Sequence, residues 1–250
     1  MKIPILMYHQ IGQYVSHDAP FRSLIVRPSA FRRQMALMHW LGYRGLSMSA
    51  LMPYLQGKEQ GKVFGITFDD GYRNNLELAL PVLRRYGFSA TCYAVSDLLG
   101  QTNAWDRQLG VAQVPLMNME ELRYWIGQGQ EIGSHTCDHQ NLVELDMAAQ
   151  RHQVEQSRKA LERGLPEQNG VNHFCYPYGA FSAETIEAVR QAGYLSATTT
   201  RRGRATISQA QDLLTLPRVL VSRSTTLAHF AMKCFSGYED RRGTASYQNI

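Results

Sequence analysis

Two carboxylates stand side by side in Ile66-Thr67-Phe68-Asp69-Asp70-Gly71-Tyr72, at the end of an apolar run. Burying such a pair costs free energy unless a cation, a proton or hydrogen bonds offset the charge. Neighbours in a strand point to opposite faces, but the turn that Gly71 permits can bring both toward one pocket. One carboxylate can then hold a metal ion while the other takes a proton from water. The plainer alternative is a turn whose aspartate caps the following helix.

A second segment, Glu131-Ile132-Gly133-Ser134-His135-Thr136-Cys137-Asp138-His139, carries two histidines four residues apart. A helical turn after the strand places both rings on one ion. The spacing matches H-E-x-x-H, except that Thr136 stands where the glutamate base belongs. The base must come from elsewhere, and the Asp69-Asp70 pair can supply it. One carboxylate and two histidines leave coordination positions open for water, the arrangement of a catalytic zinc. In the third segment, Phe174-Cys175-Tyr176-Pro177-Tyr178-Gly179, Pro177 fixes the backbone and Gly179 allows a sharp turn. Such a loop can aim a backbone N–H at a developing oxyanion and line the pocket with the Tyr176 and Tyr178 rings.

All three segments follow apolar runs, so the elements that position them are strands. The strand candidates are Ile3–Tyr8, Val63–Phe68, Ala90–Val95, Glu131–Ser134, His173–Tyr176, Leu195–Thr200 and Leu214–Val221. They are nearly continuous in apolar or β-branched residues, as parallel strands covered on both faces are. Helical periodicity follows Pro28-Ser29, runs from Leu76 to a stop at Tyr86-Gly87, and recurs at 119–126, 147–161, 183–192 and 225–235. The alternation predicts an α/β fold, a closed or nearly closed barrel of seven strands. Active sites of such barrels are built where the strands end. One domain over residues 1–235 is expected, with a polar, poorly ordered tail over 236–250.

Composition narrows the partners. The net charge of +5 favours anions, and arginines cluster at Arg201-Arg202-Gly203-Arg204 and Arg241-Arg242. No helix-turn-helix, zinc finger or aromatic-basic strand pattern accompanies them, so solvated loops are expected and nucleic acid is not. Cys92, Cys137, Cys175 and Cys234 form no C-x-x-C pair, which argues for free thiols and a reducing compartment. The apolar run at the N-terminus is cut by Pro4 and His9, short of an export signal. A cytoplasmic or membrane-peripheral protein is the expectation.

Taken together, the three segments resemble the motifs T-F-D-D-G, H-[ST]-x-x-H and R-x-P-Y-G of the polysaccharide deacetylases, carbohydrate esterases with the NodB homology domain. Here they stand, in that order, at Thr67–Gly71, His135–His139 and Cys175–Gly179. The likeness extends to Leu6-Met7-Tyr8-His9 and Leu216-Pro217-Arg218-Val219. It resembles the branch of poly-N-acetylglucosamine deacetylases, some of which have a permuted motif order with the general-acid histidine at the N-terminus. It implies a distorted (β/α) barrel and metal-dependent removal of an N-acetyl group from an amino sugar in a glycan or glycan-lipid precursor. It implies that Asp69 is the general base and that Asp70, His135 and His139 bind a divalent ion, zinc before others. The backbone N–H of Tyr178 would bind the oxyanion. Tyr176 and Arg218 are placed on the substrate side.

Two departures matter. Cys175 replaces the family arginine that orients the base; Arg218 can supply the charge, or be a structural salt-bridged arginine. The late leucine-x-histidine motif that carries the general acid has only Leu227-Ala228-His229 to match it, in an apparent helix. His9, closing the first strand, is the better placed acid. Competing readings are a deformylase or deacylase of a lipid-linked or nucleotide-linked sugar, and a non-catalytic carbohydrate-binding relic.

Overall fold

The computed structural model describes residues 2–13, 16–206 and 212–243. Seven parallel strands run in chain order: β1 (Ile5–Tyr8), β2 (Val63–Phe68), β3 (Thr91–Ala94), β4 (Glu131–Ser134), β5 (His173–Cys175), β6 (Ser196–Arg202) and β7 (Leu216–Leu220). Successive strands pair, and β7 pairs with β1, which closes the barrel. A short strand, Arg44–Leu46, wedges into one edge of β2. It pairs the lower half of that edge while β3 takes the upper half, Thr67 opposite Thr91. That wedge distorts the barrel.

Helix α1 (Pro28–Trp40) starts on Pro28, whose fixed φ suits the first helical position. It buries Phe31, Gln34, Met35 and Met38, and Gln34 accepts a 2.8 Å hydrogen bond from the Tyr8 hydroxyl. Helix α2 (Met48–Leu55) follows the wedge strand. It buries Met48, Leu51, Met52, Tyr54 and Leu55 against Ile5, Val63, Tyr93 and Leu216, and so plugs the end of the barrel where the strands begin. The outer helices are α3 (Leu80–Tyr86), α4 (Met119–Gly127), α5 (Met147–Gly164), α6 (Ala183–Gln191) and α7 (Leu227–Phe235). Their apolar faces join the strands in a second core containing Phe31, Phe68, Trp125, Phe174 and Phe230. Each such side chain, fully buried, contributes about 1.5–3 kcal/mol. Gly87 ends α3 in the left-handed conformation, as its sequence context requires.

The tail differs from expectation. Residues Tyr238–Arg242 form a helix, α8, and the fully buried Glu239 receives Arg202 at 2.6 Å and Lys233 at 3.2 Å. Asp240 binds Arg204 at 2.8 Å and Lys2 at 3.2 Å. Burial pushes the Asp240 carboxyl up, but these cations outweigh it and hold its pKa at about 2. The 201–204 cluster is therefore largely neutralised within the fold rather than free in a solvated loop. Residues 244–250 of the expected tail lie outside the described residues. All four cysteines are buried and free.

Candidate active site

Strand β2 ends at Phe68, and the Asp69 N–H donates to the Tyr8 carbonyl at 2.9 Å, so the strand geometry carries one residue further. Asp70 then takes φ 72, a left-handed conformation that a non-glycine residue adopts only at a cost, and Gly71 follows at φ 75. The reversal that turns both carboxylates inward thus begins at Asp70 itself. Five non-glycine residues have positive φ among the described residues, and four of them, Asp70, Thr136, His139 and Tyr178, belong to the three motifs. Strain of this kind, about 1–3 kcal/mol each, persists where the surrounding structure fixes it, commonly at a functional site.

The two histidines reach one point by a route other than the expected helical turn. Residues 135–139 form an irregular loop with left-handed kinks at Thr136 and His139. The Thr136 hydroxyl accepts the His139 N–H at 3.0 Å and locks the loop. His135 Nε2 lies 3.3 Å and His139 Nε2 3.4 Å from Asp70 Oδ1. Asp70 Oδ1 is buried and has no hydrogen-bond partner. Two donors each 2.0–2.2 Å from a tetrahedral zinc are separated by about 3.4 Å, so these spacings match the edges of such a site. His135 Nδ1 hydrogen-bonds the Cys175 carbonyl at 2.7 Å, which directs Nε2 inward. Burial pushes the Asp70 pKa up, but the two imidazoles outweigh it and hold the carboxyl well below its ordinary range. The donor set fits a divalent ion with three protein ligands. His135→Ala and His139→Ala should each sharply lower the metal recovered with the purified, folded protein. Undiminished metal content in the double variant would refute the assignment.

Asp69 is gripped by Arg218. The guanidinium donates to Oδ1 at 2.6 Å and to Oδ2 at 2.7 Å, with further bonds to the Thr67 hydroxyl and the Thr199 carbonyl. It also approaches Cys175 Sγ at 3.3 Å. Burial raises the Asp69 pKa, but the charge and hydrogen bonds of Arg218 more than reverse this and keep the carboxylate ionised. Arg218 is fully buried. It is the orienting partner of Asp69 from β7, where the motif position on β5 has Cys175, and its placement among substrate-contacting residues is corrected. Tyr176 is corrected likewise. It is buried against Phe174 and Phe181 in the outer core, because alternation along the strand turns it away from Cys175.

His9 is partly exposed, and its Nε2 lies 3.8 Å from Asp69 Oδ2. Asn75, fully buried in a single π-helical turn, donates to the His9 carbonyl at 2.7 Å and accepts the Ile11 N–H at 3.2 Å. His229 lies on α7 with its ring edge-on to Tyr238. The Tyr178 ring, half exposed, meets His139 edge-on with centroids 4.8 Å apart. Gly179 keeps this loop tight: a Cβ there would collide with the side chain and backbone nitrogen of Thr200. On the other side of His139, Trp105 stacks at 4.4 Å. It stands on a turn, Ala104–Leu109, anchored by Asn103, whose side chain accepts the Val114 N–H at 2.7 Å. Beside it, burial and then the Asp70 charge push Asp106 up to about 6. Trp105 and Asp106 are invisible to motif reading, and the signal for Asn75 is the asparagine pair directly after Asp69-Asp70-Gly71-Tyr72-Arg73.

A family model described as polysaccharide deacetylase matches residues 56–197, more than half of the chain. The chain belongs to the polysaccharide deacetylase family. It is 32% identical over 223 residues to YxkH of Bacillus subtilis (strain 168), a protein assigned to the polysaccharide deacetylases, covering 88% of this chain and 72% of that one. It is 24% identical over 220 residues to the poly-beta-1,6-N-acetyl-D-glucosamine N-deacetylase of Staphylococcus epidermidis, covering 83% and 72%. The Streptococcus pyogenes deacetylase PplD, solved with acetate, superposes with a TM-score of 0.80 at 26% identity over 94% of this chain and 98% of that one. The enzyme class is carbohydrate N-deacetylase, and the barrel is the one these deacetylases share.

Proposed function

We propose that this deacetylase is a divalent-metal enzyme, best suited to zinc, that hydrolyses the N-acetyl group of N-acetylglucosamine units in an oligomeric or polymeric glycan. The observation that carries the metal reading is the convergence of His135, His139 and the partnerless Asp70 Oδ1 at spacings of 3.3 and 3.4 Å. The glycan reading draws on relatives named for poly-beta-1,6-N-acetyl-D-glucosamine and for chitooligosaccharide. A divalent ion held by these three residues supplies Lewis acidity, polarising a carbonyl oxygen and lowering the pKa of water.

The chain's own residues then divide the proton traffic. Asp69, oriented and kept ionised by Arg218, accepts the proton of the attacking water. The backbone N–H of Tyr178 faces the oxyanion as the carbonyl carbon becomes tetrahedral. His9 donates a proton to the sugar nitrogen as the C–N bond breaks, so that acetate and a free amine leave. Trp105 and Tyr178 flank His139 and give the sugar two apolar ring faces. The alternative of a non-catalytic relic rested on the arginine absent at Cys175; Arg218 takes that arginine's place on Asp69, which supports catalysis. The test is release of acetate and free amine in equal amounts from a panel of N-acetylated amino-sugar oligomers. Formate release from N-formyl sugars alone, or binding without turnover, would overturn the proposal.

His9→Ala should depress turnover on amides while largely sparing activated esters, whose leaving groups need no proton. His229→Ala should behave like the parent enzyme on both. Equal losses on amide and ester in the His9 variant, or a selective amide loss in the His229 variant, would remove His9 from this role.

A further inference from the structure

Charge is divided unevenly around the barrel. Helices α4, α5 and α6 carry Glu120, Glu121, Glu155, Glu162, Glu184 and Glu187 among their cations. Helices α1, α3 and α7, which pack side by side, contain no aspartate or glutamate at all. Instead they expose Arg32, Arg33, Arg84 and Arg85, none of which has an ion pair among the described residues. Lys62, just before β2, adds another exposed cation, its Nζ donating to the Leu41 carbonyl at 3.3 Å and making no ion pair among the described residues.

At their C-terminal ends these helices gather aromatic rings. Trp40, the last residue of α1, is 80% exposed, an unusual state for the largest apolar side chain. Phe235, the last residue of α7, is also exposed and lies 5.3 Å from the Tyr43 ring. Lys62 Nζ stands 6.0 Å over that same ring. His39, beside Trp40, packs on Tyr86, over which Arg85 is placed at 5.8 Å. Exposed aromatics ringed by lysine and arginine that have no carboxylate partner among the described residues fit a bilayer interface, where rings enter the headgroup region and cations meet anionic lipid. A sulfated polyanion such as heparin is held mainly through the cations, so the contribution of Trp40 separates it from a bilayer.

We infer that the face formed by the C-terminal ends of α1, α3 and α7, centred on Trp40, docks this enzyme on an anionic lipid surface. Lys62 precedes β2 and Asp69 follows it, so the docking face and the catalytic opening are separated by a six-residue strand, roughly 20 Å. Docked this way, the opening faces away from the lipid. Among the described residues no helix is long and apolar enough to cross a membrane, and the contact inferred here is peripheral.

Co-sedimentation of the full chain with vesicles tests this, comparing pure phosphatidylcholine with a mixture containing about 30% phosphatidylglycerol. The chain should sediment with the anionic vesicles, release as salt rises, and ignore the neutral ones. Arg84→Gln and Arg85→Gln should each weaken partitioning roughly fivefold. Trp40→Ala should weaken it as well, while acetate release from a soluble oligomer stays unchanged in all three variants. Failure to bind anionic vesicles, or variants that bind undiminished, would overturn the inference. So would tight binding to heparin with no loss in Trp40→Ala, which would make the face a polyanion site.

Discussion

Asp69→Asn should retain fold and bound metal yet lose about 100- to 10,000-fold in turnover, the range that general-base catalysis contributes. The amide keeps the shape of the carboxylate and accepts from Arg218 through its one oxygen, at a cost in stability because its NH2 meets the second guanidinium N–H. It cannot take the proton of water. Arg218 makes the point sharper. By holding the Asp69 pKa down it makes this carboxylate a weak base, kept in the correct protonation state and in one orientation. Such a base would suffice only where a bound ion acidifies the water, so the proposed roles of Asp69 and of the Asp70–His135–His139 cluster depend on each other. The check is single-turnover kinetics alongside metal content in the same preparation. Near-normal turnover in Asp69→Asn would place the base elsewhere.

Arg218→Met is expected to have the largest effect on stability. Removing one partner of a buried ion pair leaves the other charge uncompensated, typically about 3–5 kcal/mol. Here the orphan is Asp69, 2% exposed, with only His9 and His135 left to favour its ionised form. The sign of the pH dependence follows. In the parent enzyme the Asp69 pKa is depressed in the fold, so the pair stabilises above the unfolded carboxyl's pKa of about 3.9 and that stability fades as pH falls further. In Arg218→Met burial acts unopposed by the guanidinium and raises that pKa. The variant should then lose least stability at acid pH and most at neutral pH. Chemical denaturation of both proteins across this range measures the difference. A variant as stable as the parent at neutral pH would mean that the pair is not what holds Asp69.

Much of this site was legible because its chemistry is concentrated at strand ends. Val63–Phe68 and Glu131–Ser134 are continuous runs whose limits coincide with β2 and β4, and the residues that follow them are the acid pair and the histidines. What could not be read depends on tertiary placement. Arg218 and Asp69 are 149 residues apart, and nothing local says that β7 and β2 flank the same strand, β1. Helix α2 is apolar on nearly every side and contains Pro53, so it shows neither a helical stripe nor good propensity; only the barrel end it plugs makes it a helix. The wedge strand Arg44–Leu46 is three residues long and has no pattern to detect. Left-handed Asp70, Thr136, His139 and Tyr178 oppose local preference, so the two histidines converge on Asp70 without the helical turn that their spacing suggests.

The most direct measurement is acetate release from an N-acetylglucosamine oligomer by the metal-stripped chain, before and after titration with zinc. Activity should be negligible without metal and should rise to a plateau at one zinc per chain in the parent protein. The His135→Ala/His139→Ala double variant should show neither the rise nor bound zinc. Full acetate release from the stripped protein, or a plateau unchanged in the double variant, would contradict the account.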